Sequence, residues 1–237
     1  MIVSFLKIAI LFLYTVLLSL AAGASLLTGD GHKKWFRIGQ HWAHAIFFVC
    51  GIRVTLSGLE KIKDPRSIVY LANHASMFDI WALMGWLPGQ LRFIGKKEVN
   101  YIPVLGWLWK YSGNIPIDRK TPKKYLKSLE IARQTIVEGS CIVMYPEGTR
   151  TSDGKLQEFK RGPFSLAMKS MAAVVPITIN GSFGLLRKGS LKITPGTIDI
   201  VIHDPIPPGA GRRAGKEDEL LLMNMVKEKI QTAYINQ

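Results

Sequence analysis

From Ser67 onward, short runs rich in Ile and Val alternate with longer stretches of helical pattern, and few folds accommodate that alternation. The runs SIVYLAN, LRFIG, NIPIDR, CIVMYPEG, AVVPITIN, LKITPG and TIDIVIHDPI are bounded by Gly, Pro or Asp and predict strands. Residues 80–86, 122–138, 162–170 and 216–232 predict helices. In the second of these, Leu126, Leu129, Ile131, Ile136 and Val137 carry the apolar face and Gly139 stands at the end. Strands alternating with helices imply an α/β domain built on a mixed, largely parallel sheet flanked by helices. A final hairpin around Pro195-Gly196 is expected to add antiparallel strands, and GAGRRAG, at 209–215, reads as a polar loop.

The N-terminus follows a different pattern. No charged residue occurs from Ile8 to Leu27, about the 20 apolar positions that a bilayer-spanning helix needs. A second segment, WFRIGQHWAHAIFFVCGI, mixes Trp35, Trp42 and Phe47 with Arg37, His41 and His44. It reads as interfacial or re-entrant, because Trp favours the water boundary and the uncharged part, 45–52, is too short to cross. Gly29 to Gly31 is the expected turn between the two, and His41 and His44 read as interfacial polar residues rather than metal ligands. The competing reading is a signal peptide, since Ala22-Gly23-Ala24 resembles a cleavage site. The expected organisation is an N-terminal hydrophobic two-helix membrane motif over residues 1–55 and an α/β domain over 56–237. Lys33, Lys34 and Arg37 favour the cytoplasmic side for the end of the first segment.

Charge narrows the class of partner. A formal charge of +14 requires something anionic, either nucleic acid or a membrane surface. No zinc spacing, helix-turn-helix or RNA-stacking motif supports nucleic acid. Membrane phospholipid fits better, because Lys110, Lys120, Lys123, Lys124 and Lys127 lie in or after the aromatic stretch WLWKY. Cys50 and Cys141 sit in apolar runs and read as small buried hydrophobes.

In a parallel sheet, ligands sit beyond the carboxyl ends of the strands. Those ends carry Asn73-His74, then Gly95-Lys96-Lys97, Asp118-Arg119 and Pro146-Glu147-Gly148-Thr149-Arg150. His74 and Asp79 are five positions apart, which in one ideal helix leaves them roughly 140° apart and unpaired. With His74 closing a strand and Asp79 in the first turn of the next helix, the carboxylate can accept the Nδ1 proton and leave Nε2 as a base. A capping Asp beside an unrelated His is the alternative. YPEGTR places a tight turn at another strand end, with N–H groups, Thr149 and Arg150 open to an anionic oxygen.

These two stretches, in this order and about 70 residues apart, resemble the signature of the glycerolipid acyltransferases. The resemblance extends through FIGKKEVNYIPVLGW, GNIPIDR, FKRGPF and VVPITIN, from about Ser57 to Asn180. Tyr145 stands where the family usually has phenylalanine, and Pro163 follows the glycine of KRG. The resemblance implies transfer of a fatty acyl group from acyl-CoA or acyl carrier protein to the sn-2 hydroxyl of a 1-acylglycerol 3-phosphate, lysophosphatidic acid. It implies His74 as general base, Asp79 as its orienting group, no acyl-enzyme, and neither cofactor nor metal. Acceptor binding would fall to Arg119, Glu147, Gly148, Thr149 and Arg150. Lys96, Lys97 and Lys160 read equally as helpers or as solvated charges, and Pro176 as shaping a cleft. The expected location is the cytoplasmic face of the cell's inner membrane. Another lysolipid acceptor, including a lyso-ornithine lipid, and a non-catalytic lipid-binding protein both stay open.

Overall fold

The computed structural model describes residues 2–25, 31–102, 105–118, 121–207 and 215–236. Arg119, Lys120, residues 209–214 of the polar loop and most of the turn at Gly29 to Gly31 lie outside them, as do the side chains of Lys33 and Lys34. Seven strands form one sheet: β1 Ile52–Ser57, β2 Ile68–Ala72, β3 Leu91–Lys96, β4 Ile115–Ile117, β5 Cys141–Met144, β6 Ala173–Asn180 and β7 Gly196–Ile202. Their order is β1-β7-β6-β2-β5-β3-β4, parallel throughout except between β6 and β7. The mixed, largely parallel sheet is thus as expected.

β2 is buried along its whole length and sits between β6 and β5, with Tyr70 opposite both Val175 and Val143. Alternation along the strand divides its side chains between two cores. Ile68 and Tyr70 meet Phe47, Phe78 and Leu83, from α2 (Gly31–Cys50) and α3 (Phe78–Trp86). Val69 and Leu71 face the opposite way, toward Ile136, Phe164 and Val226. These belong to α5 (Pro122–Val137), α6 (Gly162–Lys169) and α7 (Lys216–Ala233). Cys50 and Cys141 are free and buried, as their apolar surroundings imply.

The strand and helix expectations need correction at three points. The run before Pro195 is not a hairpin strand: Thr194 N–H donates to Leu185 O, back into the preceding loop, and β7 pairs instead with β6 and β1. β1 was not anticipated, although Ile52, Val54 and Leu56 alternate with Arg53, Thr55 and Ser57. The expected division between residues 55 and 56 falls within β1. α4 (Leu105–Tyr111) forms from the aromatic stretch, which is too short to display helical periodicity.

The two N-terminal helices are present, but they differ in role. α2 is half inside the protein: Trp42, Ile46 and Phe47 join the sheet core, while Phe48 is exposed. His44 Nε2 lies 3.1 Å from Gly85 O and its ring packs on Trp86, so it ties α2 to α3. α1 (Ile2–Ser25) lies on α2 through Trp42 Nε1–H donating to Thr15 Oγ1 at 2.9 Å. Lys7 Nζ donates to Cys50 O at 2.9 Å, placing a cation on the last carbonyls of α2. The outer side of α1 shows Phe5, Leu6, Phe12, Leu13 and Leu17 uncovered, and over Ile2–Leu20 the helix is long and apolar enough to cross a membrane.

β6 ends at Asn180, and the chain turns at Gly181 with φ at +81°. A Cβ there would stand 2.3 Å from Thr197 O. Gly181→Ala is therefore expected to cost about 2 kcal/mol or more and lower Tm by about 4–8 °C. Thermal unfolding in detergent micelles checks this, and an unchanged Tm contradicts it.

Candidate active site

The site begins where β2 runs out. Asn73 is buried, and its amide completes a rung toward β6: Nδ2–H donates to Ile179 O at 2.8 Å, and Ile179 N–H donates to Asn73 Oδ1 at 2.7 Å. The next residue, His74, leaves the sheet with its Nδ1 2.8 Å from Asp79 Oδ2. Asp79 occupies the first turn of α3 and is fully buried. The same Oδ2 accepts the backbone N–H groups of Ala75 at 2.7 Å and Ser76 at 2.8 Å. A carboxylate so placed requires Nδ1 to carry the imidazole proton, which leaves Nε2 as the basic nitrogen. The five-residue spacing works, as expected, through a strand, a turn and a helix start.

Ser76 is a structural member of this turn. Its Oγ donates to Leu186 O at 2.9 Å, accepts from Phe78 N–H at 3.4 Å and is buried. No base activates it as a nucleophile among the described residues. Cys141, also buried, directs its thiol to Pro65 O.

Glu147 holds the histidine from behind. One carboxylate oxygen accepts His74 N–H at 2.6 Å and the other accepts Gln157 N–H at 2.9 Å. The other side of His74 is fixed by Thr151 N–H donating to His74 O at 2.9 Å. Both main-chain groups of His74 are thereby bound to the strand-end segment after β5. Burial pushes the Glu147 carboxyl up to about 7, against the lowering effect of its two backbone donors, and the nearby Asp79 charge adds to the rise. The turn itself closes through Gly148, at φ +77°, whose N–H donates to Tyr145 O. Tyr145 stacks on the imidazole at 3.9 Å between ring centroids and 16° between planes.

The motif residues therefore divide. Glu147 is only 3% exposed and commits its carboxylate to main chain, a positioning place that a motif shared with acceptor-binding residues does not distinguish. Gly148 and Arg150 are half-buried and Thr149 is exposed on the rim. Lys96 is exposed at the end of β3, and Lys97 pairs with Asp118 at 2.8 Å, joining the ends of β3 and β4. Lys160 is exposed, with its N–H donating to Pro146 O beside the turn. Pro176 sits in the ladder opposite Leu71 and is buried in the sheet. Lys188 was missed: its Nζ lies 3.1 Å from Thr149 Oγ1. The signal for it was the end of β6, to which the strand-end rule applies equally. Among the described residues, no group of three or more His, Cys, Asp or Glu could hold a metal ion.

Comparison with known proteins gives a consistent picture. Residues 53–180 match the family model described as Acyltransferase. A 1-acyl-sn-glycerol-3-phosphate acyltransferase of Chlamydomonas reinhardtii is 35% identical over 181 residues, 74% of this chain and 54% of that protein. One from Pseudomonas aeruginosa is 34% identical over 181 residues, 74% of this chain and 69% of that protein. The chain spans about half the length of the algal relative and of the chloroplastic protein LPAT1 of Arabidopsis thaliana. The crystal structure of PlsC from Thermotoga maritima, a 1-acyl-sn-glycerophosphate (LPA) acyltransferase, superposes with a TM-score of 0.82 at 26% identity. That match covers 97% of this chain and 93% of the other.

The raised Glu147 carboxyl links stability to pH. The folded state holds this proton more tightly than the unfolded chain, whose carboxyl titrates near 4.5, so stability falls as pH rises from there through about 7. The contribution lost is about 3 kcal/mol. Denaturant unfolding across pH 4.5 to 8 is expected to show this slope in the parent and to lack it in Glu147→Gln. Parallel pH dependences in the two proteins contradict it.

Proposed function

The chain belongs to the acyltransferase family, and from that premise we propose that it transfers a fatty acyl group from a thioester to the sn-2 hydroxyl of 1-acyl-sn-glycerol 3-phosphate, forming phosphatidic acid. The observation that carries the reading is the His74 Nδ1 to Asp79 Oδ2 contact of 2.8 Å at the carboxyl end of the central strand. With Nδ1–H engaged, Nε2 takes the proton of the acceptor hydroxyl as its oxygen attacks the thioester carbonyl. The C–O bond forms, the C–S bond breaks, and the proton passes from the imidazolium to the departing thiolate. Asp79 stabilises the transient imidazolium and keeps the ring in the productive tautomer. No acyl-enzyme is required, consistent with the engaged hydroxyl of Ser76 and the buried thiol of Cys141.

The acyl donor is acyl-CoA or an acyl-loaded acyl carrier protein, and no metal or organic cofactor takes part. Arg119 and the turn Gly148-Thr149-Arg150 receive the acceptor's phosphate and glycerol, with Lys96, Lys97 and Lys160 as electrostatic support. Glu147 contributes indirectly, by fixing the main chain of His74. The uncovered side of α1 anchors the protein in a membrane at its cytoplasmic face, where the acceptor is embedded. The surplus positive charge of the chain adds attraction to anionic lipid.

The purified protein in detergent is expected to form phosphatidic acid from an acyl thioester and 1-acylglycerol 3-phosphate. His74→Ala lowers the rate by about a thousandfold or more, since it removes the base outright. Asp79→Asn lowers it by about 10²- to 10⁴-fold through loss of the tautomer constraint. Product from other lysolipids alone reassigns the acceptor. Absence of transfer with either donor class and any lysolipid refutes the enzyme reading.

A further inference from the structure

Residues 181–195 join β6 to β7 and emerge at the sheet edge that carries His74, because β6 runs parallel to β2. The loop is held at both ends of its course. Ser76 Oγ, in the turn between His74 and Asp79, donates to Leu186 O at 2.9 Å. Ile193 N–H donates to Ser4 Oγ of α1 at 3.2 Å. Between these anchors, Lys188 Nζ lies 3.1 Å from Thr149 Oγ1 and 3.5 Å from Arg150 O. Neither contact supplies a negative charge.

Several cations elsewhere in the described residues have a carboxylate partner. Lys97 faces Asp118, Arg161 faces Glu219 and Lys227 faces Glu158. Among the described residues, no carboxylate forms a salt bridge with Lys188 or with Arg150. An exposed ammonium held at the Thr149 hydroxyl and the Arg150 main chain, on the turn that carries Glu147 and is bonded to the main chain of His74, is complementary to an anion.

We propose that Lys188 is a further substrate-binding residue that, with Arg150, binds a phosphate group during the reaction. The assignment rests on the acyl-transfer reading above. A phosphate monoester is a dianion near neutral pH and can accept from the ammonium and the guanidinium together. The acceptor's own phosphate is the favoured source, since the Ser4 contact places the loop against the start of the apolar helix α1. The donor also carries phosphates, and kinetics separates the two.

Steady-state rates of the full chain in micelles are measured with lysophosphatidic acid and acyl-CoA varied in turn. Lys188→Ala is expected to raise KM for the lysolipid about tenfold while kcat stays within about twofold. Lys188→Arg restores most of the affinity. Lys192→Ala, which removes an exposed charge from the same loop, leaves both constants in place. A rise confined to the KM of acyl-CoA still supports a phosphate site and assigns it to the donor. Unchanged KM for both substrates in Lys188→Ala overturns the proposal. Calorimetric titration with lysophosphatidic acid keeps the two readings apart. Binding weakened by Lys188→Ala in a protein that forms no phosphatidic acid retains the site and removes the acylation, whereas the same failure with equal binding removes both.

Discussion

One oxygen of one buried carboxylate organises the corner on which the site stands. Asp79 Oδ2 accepts from the His74 ring and from two consecutive backbone N–H groups, those of Ala75 and Ser76. Without it, the turn that leads into α3 loses two hydrogen bonds and the imidazole loses its orientation together. A buried carboxylate is costly unless donors reach it, and here those that reach Oδ2 beside the imidazole come from the peptide bonds that turn between strand and helix. Position and chemistry are therefore the same set of hydrogen bonds.

The rest of the architecture keeps that corner still. Asn73 extends the β2–β6 pairing one rung past the strand, so His74 starts from a fixed point. Glu147 and Thr151 then take the two main-chain groups of His74 from the β5 side, and Tyr145 covers the ring. β2 lies between β6 and β5, and both neighbours reach over its end. A basic side chain at the end of an edge strand would have only one such neighbour and correspondingly fewer restraints.

The N-terminal helices extend the sheet's packing outward. α2 contributes Trp42, Ile46 and Phe47 to the core, whereas α1 rests on it through few polar contacts and leaves a broad apolar side uncovered. Ser4 touches the loop after β6, so the apolar helix and the site are joined by one short segment.

The α/β pattern, the apolar N-terminus and the pairing of His74 with Asp79 were legible in the amino-acid sequence, because each depends on local periodicity or on residues within one turn. β1 and α4 were not, β1 because its partner strand is distant in the chain and α4 because it is too short to show a helical period. The parallel pairing of β1 with β7 joins residues more than a hundred positions apart, which no local pattern reports. Sequence likewise placed Glu147 in a motif with Thr149 and Arg150, yet only folding separates a buried carboxylate bound to main chain from a rim that faces solvent. What the chain determined by itself was the kind of fold and the pairing of His74 with Asp79. The tertiary structure decided which motif side chains face inward and brought Lys188 to the rim, since contacts across the sheet edge depend on strand order.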